Sequence, residues 1–420
     1  MFKPLFFYYK ICAVVCACIF LLNACTFSAD NHSSDITQDL SPDLKPLVIL
    51  ISIDGFKPEY LGRGLTPELL ELANNGSIAK GLIPSFPSVT FPNHYSLVTG
   101  LYPDHHGLVN NSMKDLSIPE PFKLSSKTAV GNPNWWNEAT PIWVTATRLG
   151  KKASILFWPG SEAPINGIQA QDWLVYDNGM SSQSRAKKLL EWLNRPSSSR
   201  ADFATLYFSE VDSAGHQFGS NSPELNQSLK NVNEALRIFI AGIDRLGLRP
   251  LTTFVIVSDH GMTEVDSSNR IRIDQVLKEY PNLSYEWQGP TAAFNLVNEN
   301  QNAVMTALAK QEHMTCWPKS KIPRAYHFGS HRRIPDIVCL AKLGWTISSQ
   351  NYLIHIPGQH GFDPNLQDMH GIFIASGYKI KKTTLGLFEN IDVYPLLCKL
   401  LQITPEKNDA NPHLIAEVLK

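Results

Sequence analysis

Residues 47–55 read LVILISIDG, a nearly all-apolar run that ends in an aspartate and a glycine. Such a run predicts a strand buried on both faces, since a half-exposed strand would alternate apolar and polar residues. Further strand-like runs occur at 153–158, 203–208, 253–257 and 372–375. Amphipathic helical patterns alternate with the strands, at 66–76, 141–149, 181–194, 224–246 and 391–401. This alternation predicts an α/β fold with a mostly parallel central sheet and helices on both faces.

The composition limits the class of protein. The chain has 420 residues, of which 43% are hydrophobic and 18% charged, and this excludes wholesale disorder. Lys and Arg (37) nearly balance Asp and Glu (38), so no basic field indicates a nucleic-acid-binding surface. We expect one large domain over residues 47–420. Within it, residues 265–355 break the strand–helix alternation and are predicted to form a smaller inserted cap region.

The N-terminal segment is typical of an export signal. Residues 1–25 contain an apolar run at 11–22 whose length suits a signal peptide better than a transmembrane helix. The run ends in Leu-Asn-Ala-Cys, which resembles a bacterial lipobox and predicts a membrane-anchored lipoprotein modified at Cys25. A plain signal peptide or a retained N-terminal anchor is the alternative. Residues 26–46 are polar and predict a flexible tether, so we expect the protein in the periplasm or cell envelope.

Export implies an oxidising compartment, which makes the remaining cysteines relevant. Beyond the N-terminal segment the chain keeps Cys316, Cys339 and Cys398. Three cysteines allow one internal disulfide at most, and Cys316 with Cys339 is the pair nearer in sequence. Buried free thiols are the alternative, and the sequence alone leaves both open.

Six aspartates and histidines lie near the ends of predicted strands, where the functional residues of open α/β sheets collect. Taken singly, such an aspartate is often a helix cap and such a histidine a structural residue. Together, carboxylates and imidazoles without a thiolate indicate catalytic zinc, with manganese or another divalent ion as the alternative. Six ligands are too many for one such zinc and suit two Zn²⁺ ions, an arrangement used in phosphoryl transfer. The six residues are Asp54, Asp212, His216, Asp259, His260 and His360.

A nucleophile is predicted at Thr90, within the segment PSFPSVTFPNHY at 84–95. Pro92 fits the start of a helix that continues to Gly100, which places Thr90 at the helix N-terminus. Free backbone N–H groups and the helix dipole favour an anion at that position. A metal beside the hydroxyl would acidify it further. The alternative is that Thr90 is only the N-cap of this helix.

Several strings in this chain resemble the ectonucleotide pyrophosphatase/phosphodiesterase family, the type I phosphodiesterases of the alkaline phosphatase superfamily. They are ISIDGF, PSFPSVTFPNHYSLVTGLYPDHHGLVNNSM, FWPGSE, SEVDSAGH, SDHGM, GQHGFD and DMHGIFIASG. Their order and spacing agree with the family from residue 47 to about residue 400. The resemblance implies a phosphodiesterase catalytic domain of bacterial type, without the disulfide-rich N-terminal modules and C-terminal nuclease-like domain of animal members.

The resemblance also implies a role for each matching residue in the metal site. One zinc would be held by Asp212, His216 and His360, and the other by Asp54, Asp259 and His260. Thr90 would contact the second zinc and attack phosphorus beside it. Asn111 and the Thr90 backbone N–H would stabilise a phosphoryl oxygen, with the neighbouring Asn110 as the alternative. A phosphothreonine intermediate would then be hydrolysed with net retention of configuration, releasing a nucleoside 5′-monophosphate.

The substrate pocket follows from shorter matches to the family. Phe91 and Tyr176 would enclose a nucleobase, and Trp158 and Glu162 would form the pocket wall. Val89 stands where vertebrate nucleotide-cleaving members often have lysine, so a contact with a distal phosphate is missing.

The sequence is also compatible with other functions and with one other ligand. A phospholipid-headgroup or lysophospholipid phosphodiesterase of choline type is the main alternative, and it would need an aromatic cage with a carboxylate. A phosphomonoesterase would normally use serine with more positive charge, and a non-catalytic lipoprotein would not need the complete ligand set. His370 is the alternative to His360 as a ligand. His94, His105 and His106 are expected to make structural hydrogen bonds.

Overall fold

The structure is a computed structural model that describes residues 45–350 and 356–420. The predicted signal peptide, Cys25 and nearly all of the predicted tether lie outside these ranges. Among the described helices, none combines the length and apolar character that a membrane span requires. In the described ranges the central sheet has eight strands, numbered in chain order. They are β1 (Leu47–Ile53), β2 (Ser77–Ile83), β3 (Ala153–Leu156), β4 (Asp172–Trp173), β5 (Phe203–Phe208), β6 (Thr252–Val257), β7 (Phe373–Gly377) and β8 (Thr383–Glu389).

The central sheet is mixed but mostly parallel, as predicted. Its strand order is β8-β2-β7-β6-β1-β5-β3-β4. Every neighbouring pair is parallel except those of β7, which runs antiparallel to both β2 and β6. The sequence interpretation missed β2 because SIAKGLI mixes polar, glycine and apolar residues, and missed β8 because an edge strand exposes part of its length. The strand predicted at 153–158 ends earlier, at Leu156.

The alternate side chains of β1 enter two different cores, which explains its continuous apolar sequence. Ile49 and Ile51 pack into one core, and Val48 and Leu50 pack into the other. Helices therefore cover both faces of the sheet, as predicted. The first core contains helices Pro67–Asn74, Ser182–Leu193 and Pro223–Arg245, and the second contains helices Thr90–Thr99, Ile142–Arg148 and Val393–Leu401.

The segment for which a cap was predicted contains a second, antiparallel sheet. In the described residues this sheet has four strands in the order Leu283–Trp287, Thr291–Leu296, Ile337–Ala341 and Met314–Pro318. Its own apolar cluster joins Phe294 and Ile337 to Val304 and Leu308 of the helix Gln301–Leu308. A disulfide joins Cys316 to Cys339, which face each other across two of these strands, while Cys398 is a buried free thiol.

The carboxyl ends of three neighbouring strands meet at one edge of the sheet. Near this edge Ile53 of β1 pairs with Phe208 of β5, and Ser52 of β1 pairs with Val257 of β6. Since β7 is antiparallel, its first residue, Phe373, also pairs with Val257. The segments that follow β1, β5 and β6, and the segment that precedes β7, therefore reach the same place.

Candidate active site and metal centre

Five of the six predicted ligands come from the segments that follow three strands. Asp54 directly follows β1, and Asp259 and His260 follow β6. Asp212 and His216 lie one turn apart on the helix that follows β5, so their side chains share one helix face. The fold thus explains why these five residues occur at strand ends in the sequence.

His360 directly follows a separate short strand, Gly358–Gln359, which pairs with the segment after β6. This strand passes so close to the helix after β5 that a Cβ on Gly358 would lie 2.0 Å from the carbonyl oxygen of Gly215. Only glycine permits that approach. It brings the Nε2 atom of His360 within 3.1 Å of the Nε2 atom of His216.

The structure assembles the six side chains into two groups of three, with one atom per residue within 4.8 Å of the others. The first group consists of Asp212, His216 and His360. The Oδ1 atom of Asp212 lies 3.4 Å from His216 Nε2 and 3.7 Å from His360 Nε2.

The second group consists of Asp54, Asp259 and His260, and it is almost completely buried. The Nε2 atom of His260 lies 3.1 Å from Asp259 Oδ2 and 3.5 Å from Asp54 Oδ1. The backbone reaches this group through Gly55, whose φ of 68° lets the chain turn directly after Asp54.

All three histidines are held in the same tautomer. Each Nδ1 atom lies within 2.9 Å of a backbone carbonyl oxygen, with the pairs His216–Gly358, His260–Gly261 and His360–Ser88. Because a carbonyl only accepts, each Nδ1 must carry the proton and donate it. In the neutral imidazole each Nε2 then carries a lone pair, and these are the atoms that converge in the two groups. Metal-binding histidines are oriented by such partners.

The carboxylates, like the histidines, have atoms that are free to bind a cation. One buried oxygen each of Asp54 (Oδ1), Asp212 (Oδ1) and Asp259 (Oδ2) has no hydrogen-bond partner among the described residues. Burial and the charges of Asp259 and Asp212 raise the pKa of Asp54 well above its usual value. Burial alone would raise the pKa of Asp259 too, but the imidazoles of His260 and His94 outweigh it and hold that pKa well below normal. Crowded buried carboxylates are costly unless cations neutralise them, so this donor set fits two divalent metals.

Thr90 lies beside the second group, at the start of its helix. The helix begins at Thr90, and Val89 is the N-cap, so the alternative interpretation of Thr90 as the N-cap is wrong. The Oγ1 atom of Thr90 lies 3.3 Å from the Nε2 atom of His260. The first N–H groups of the helix and its dipole favour negative charge at this hydroxyl.

Asn111 is held next to Thr90 by a backbone contact. Its Oδ1 atom accepts a hydrogen bond of 2.9 Å from the backbone N–H of Phe91. Because Oδ1 is used as the acceptor, the Nδ2 group of Asn111 can donate a hydrogen bond. Asn111 and Thr90 line the same cavity. Its neighbour Asn110 does not line that cavity, so the geometry favours Asn111.

The four residues predicted for the substrate pocket all line one cavity of about 500 Å³ that opens beside both groups. Phe91 forms one wall and is backed by Phe122, with the ring centroids 5.9 Å apart. Tyr176 lines the same cavity, and its backbone N–H donates to the Oε1 atom of Glu162 at 3.1 Å. Burial raises the pKa of Glu162. Trp158 is buried and completes the wall.

Two residues that support the metal groups were missed or understated in the sequence interpretation. Tyr207, inside β5, donates from its hydroxyl to the Oδ2 atom of Asp54 at 2.6 Å. The Nδ1 atom of His94 lies 2.9 Å from the Thr90 carbonyl oxygen and 3.2 Å from Asp259 Oδ2. His94 lies one helical turn after Thr90, and this spacing could have predicted a contact between them. The sequence around Tyr207 does not distinguish it from an ordinary core residue.

His370, His105 and His106 lie outside both groups. His370 is buried, and its burial lowers its pKa, but His360 occupies the position in the first group. The Nε2 atom of His106 lies 3.0 Å from the hydroxyl oxygen of Ser96, and His105 contacts Asp409.

Sequence comparison identifies the relatives of this chain. The sequence profile of the family described as type I phosphodiesterase/nucleotide pyrophosphatase matches residues 48–363. The bovine (Bos taurus) ectonucleotide pyrophosphatase/phosphodiesterase family member 3 is 33% identical over 409 residues, which cover 93% of this chain and 46% of that protein. The chain thus spans about half the length of this relative. The Xenopus laevis bis(5′-adenosyl)-triphosphatase enpp4 is 32% identical over 374 residues, covering 89% of this chain and 81% of that protein.

Solved structures of the same family have the same fold. The inactive form of murine ectonucleotide pyrophosphatase/phosphodiesterase 5, in complex with AMP, matches with a TM-score of 0.85 and 30% identity, covering 90% of this chain and all of that one. The human protein of the same name matches with a TM-score of 0.84 over 89% of this chain. These matches agree with the alkaline phosphatase-like α/β architecture predicted from the sequence. The chain therefore belongs to the type I phosphodiesterase/nucleotide pyrophosphatase family.

Proposed function

We propose that this protein is a hydrolase that cleaves phosphodiester or pyrophosphate bonds of nucleotides and releases nucleoside 5′-monophosphates. One observation carries the proposal. The Thr90 hydroxyl lies beside the second of two adjacent groups, at the edge of an aromatic-lined cavity. Together the groups contain three imidazole Nε2 atoms and three carboxylate oxygens that have no hydrogen-bond partner among the described residues. A nucleophile, a charge-neutralising site and a ligand cavity in contact are the parts that phosphoryl transfer needs.

Zinc is the metal that this donor set suits best, because it combines carboxylate oxygens with imidazole nitrogens and no thiolate. Asp54, Asp259 and His260 would hold one ion, with Thr90 beside it. Asp212, His216 and His360 would hold the other. When bound, the two ions supply positive charge and Lewis acidity at the phosphate group.

The protein side of the reaction follows from the positions of Thr90 and Asn111. The Thr90 Oγ1 atom attacks phosphorus in line with the leaving oxygen, so an Oγ1–phosphorus bond forms as the phosphorus–leaving-group bond breaks, and the hydroxyl proton of Thr90 passes to solvent. The product of this step is a phosphothreonine ester that still carries the nucleoside. Water then attacks phosphorus, releases the nucleoside 5′-monophosphate and restores Thr90. Meanwhile the Asn111 Nδ2 group and the Thr90 backbone N–H donate to a non-bridging oxygen, where charge accumulates in both steps.

The aromatic walls support a nucleotide as the substrate. Phe91 and Tyr176 line the same cavity, and aromatic side chains can stack on a flat base. The complex of inactive murine ectonucleotide pyrophosphatase/phosphodiesterase 5 with AMP supports the same class of ligand for this chain. A choline-type headgroup is the second candidate, because the Glu162 carboxylate shares the cavity with Tyr176 and Trp158 and could face a quaternary ammonium.

A direct rate comparison tests this proposal. The purified, zinc-loaded protein is assayed on p-nitrophenyl thymidine 5′-monophosphate and on p-nitrophenyl phosphorylcholine, with Thr90→Ala as the inactive control. We expect clear preference for the thymidine ester. Preference for phosphorylcholine would move the substrate to lipid headgroups, and no turnover of either ester by protein that holds two metals would overturn the hydrolase proposal.

We further propose that the protein is exported and carries a lipid on Cys25, as the Leu-Asn-Ala-Cys sequence at 22–25 indicates. Metabolic labelling with a palmitate analogue tests this. Label should enter the wild type and be absent from Cys25→Ser, and label retained in that variant would contradict the proposal.

A further inference from the structure

A buried arginine lies behind one wall of the cavity. Arg185 belongs to the helix Ser182–Leu193, and only 2% of its surface is exposed. Burying a guanidinium is costly unless its N–H groups are hydrogen-bonded. The partners of Arg185 are backbone carbonyl groups, and where those carbonyls lie shows what the side chain holds together.

The guanidinium joins two segments of the active-site region. Its Nε group donates to the Met180 carbonyl at 2.9 Å, and its Nη2 group donates to the Asp177 carbonyl at 3.3 Å. Both carbonyls belong to the turn that directly follows Tyr176. Its Nη1 group donates to the Tyr207 carbonyl at 3.0 Å, at the end of β5. Arg185 therefore ties the Tyr176 turn to the strand whose Tyr207 hydroxyl binds Asp54.

The same guanidinium lies within cation–π distance of three aromatic rings. Its Cζ atom lies 5.0 Å from the ring centroid of Phe157, 5.4 Å from that of Tyr176 and 5.8 Å from that of Tyr207. All three rings line the cavity. Cation–π contacts of a desolvated guanidinium are among the stronger ones, so this side chain stabilises the whole wall.

The two walls of the cavity are supported in different ways. Behind Phe91 stand Phe122 and Trp136, with ring centroids 5.9 and 6.2 Å away, and both belong to the main apolar core. The Tyr176 wall lies on a surface turn in which Asp177 is exposed, and Tyr176 itself is only partly buried. The Tyr176 ring packs against the core that contains Ile49 and Ile51, but the backbone carbonyls of its turn are held by Arg185.

We propose that Arg185 is a positioning residue for substrate specificity, which holds the Tyr176 wall at the separation that a nucleobase requires. The proposal rests on the nucleotide function proposed above. Lysine keeps the charge, but its three N–H donors share one nitrogen, whereas the three carbonyls are bonded to three different nitrogens of Arg185. Arg185→Lys should therefore loosen the wall while leaving a cation in place.

The test compares two esters with the same leaving group. p-Nitrophenyl thymidine 5′-monophosphate carries a base, whereas bis(p-nitrophenyl) phosphate does not. In Arg185→Lys we expect kcat/KM for the thymidine ester to fall about tenfold further than for the other ester, mainly through KM, as for the loss of one strong hydrogen bond. Zinc content should remain at two per chain. Arg185→Gln serves as the second variant if the lysine form folds poorly.

A matched control and a double-mutant cycle separate positioning from general stability. Arg200 is also buried, with 4% of its surface exposed, but it lies before the opposite end of β5. Arg200→Lys should leave the ratio of the two kcat/KM values unchanged. Tyr176→Ala should reduce that ratio, and adding Arg185→Lys to it should reduce the ratio little more, because both changes remove the same wall.

The outcomes are distinguishable. A selective loss on the thymidine ester, non-additive with Tyr176→Ala, supports the proposal. Equal losses on both esters with a lower Tm would show a purely structural role and overturn it. A wild-type enzyme that does not prefer the thymidine ester would instead overturn the nucleotide proposal itself.

Discussion

Replacing Tyr207 with phenylalanine tests whether its hydroxyl orients Asp54 in the proposed metal site. The change removes one hydroxyl, which donates to Asp54 Oδ2 at 2.6 Å inside a fully buried group. The ring and its contacts with His94 and Tyr176 stay in place. The other oxygen of Asp54 is the one left without a hydrogen-bond partner among the described residues. The hydroxyl therefore orients the carboxylate toward the proposed metal.

The expected magnitude follows from the charge on Asp54. Burial and neighbouring carboxylates raise the pKa of Asp54, so without metal its ionised form is disfavoured. A bound cation restores the ionised form, to which the Tyr207 hydroxyl bonds more strongly. A hydrogen bond to a charged group contributes about 1.5–3 kcal/mol, so zinc affinity should fall about 10- to 150-fold.

The assay is a competition titration of zinc against a chromogenic chelator, with thermal melting to verify folding. Tyr60→Phe is the matched control, because Tyr60 is completely buried and its hydroxyl has no partner among the described residues. We expect the control to keep its zinc affinity. If folded Tyr207→Phe binds zinc within about twofold of the wild type, the orienting role of this hydroxyl is refuted.

Three further predictions concern Thr90, Asn111 and Glu138. Thr90→Ala should abolish turnover of the thymidine ester and leave the Tm unchanged, since the hydroxyl is the proposed nucleophile; near-full activity would exclude that role. Asn111→Ala should lower kcat about 10²- to 10³-fold, as for other donors to a developing oxyanion, while Asn110→Ala should have little effect, and equal effects would contradict the assignment. For Glu138, burial alone would raise the pKa, but hydrogen bonds from His331 and Arg332 outweigh it and lower the pKa from 4.5 to about 2. Its ionised form therefore stabilises the fold above pH 4.5, and this contribution is lost as the pH falls toward 2. Glu138→Gln should destabilise the protein by about 1–2 kcal/mol at pH 7, a modest value because the side chain is partly exposed, and melting curves should show the gap narrowing between pH 5 and pH 3. A gap that is constant over this range would show that the charge of Glu138 is not responsible.

The central strands were predictable because a strand that is buried on both faces has a continuous run of apolar residues. β1 and β5 begin and end at the predicted residues, 47–53 and 203–208. β2 and β8 were not predictable from the same pattern, because they lie toward the edge of the sheet and contain polar or glycine residues. The antiparallel direction of β7 depends on the path of the chain before it, which local sequence does not record.

The candidate site was partly predictable for a similar reason. Asp212 and His216 show one-turn spacing, and Asp259 and His260 are adjacent, so short-range patterns place them together. Tyr207 and Arg185 act through contacts that join distant parts of the chain. The partner of the Tyr207 hydroxyl is 153 residues away in sequence, and no local pattern distinguishes Tyr207 from a core residue.

The stereochemical course at phosphorus shows whether Thr90 is the nucleophile. A p-nitrophenyl nucleoside phosphorothioate of one configuration is hydrolysed in isotopically labelled water, and the configuration of the product is determined. Attack by Thr90 followed by attack by water inverts the configuration at phosphorus twice, so we predict overall retention. Inversion would mean that water attacks the substrate directly, and it would contradict the role proposed here for Thr90.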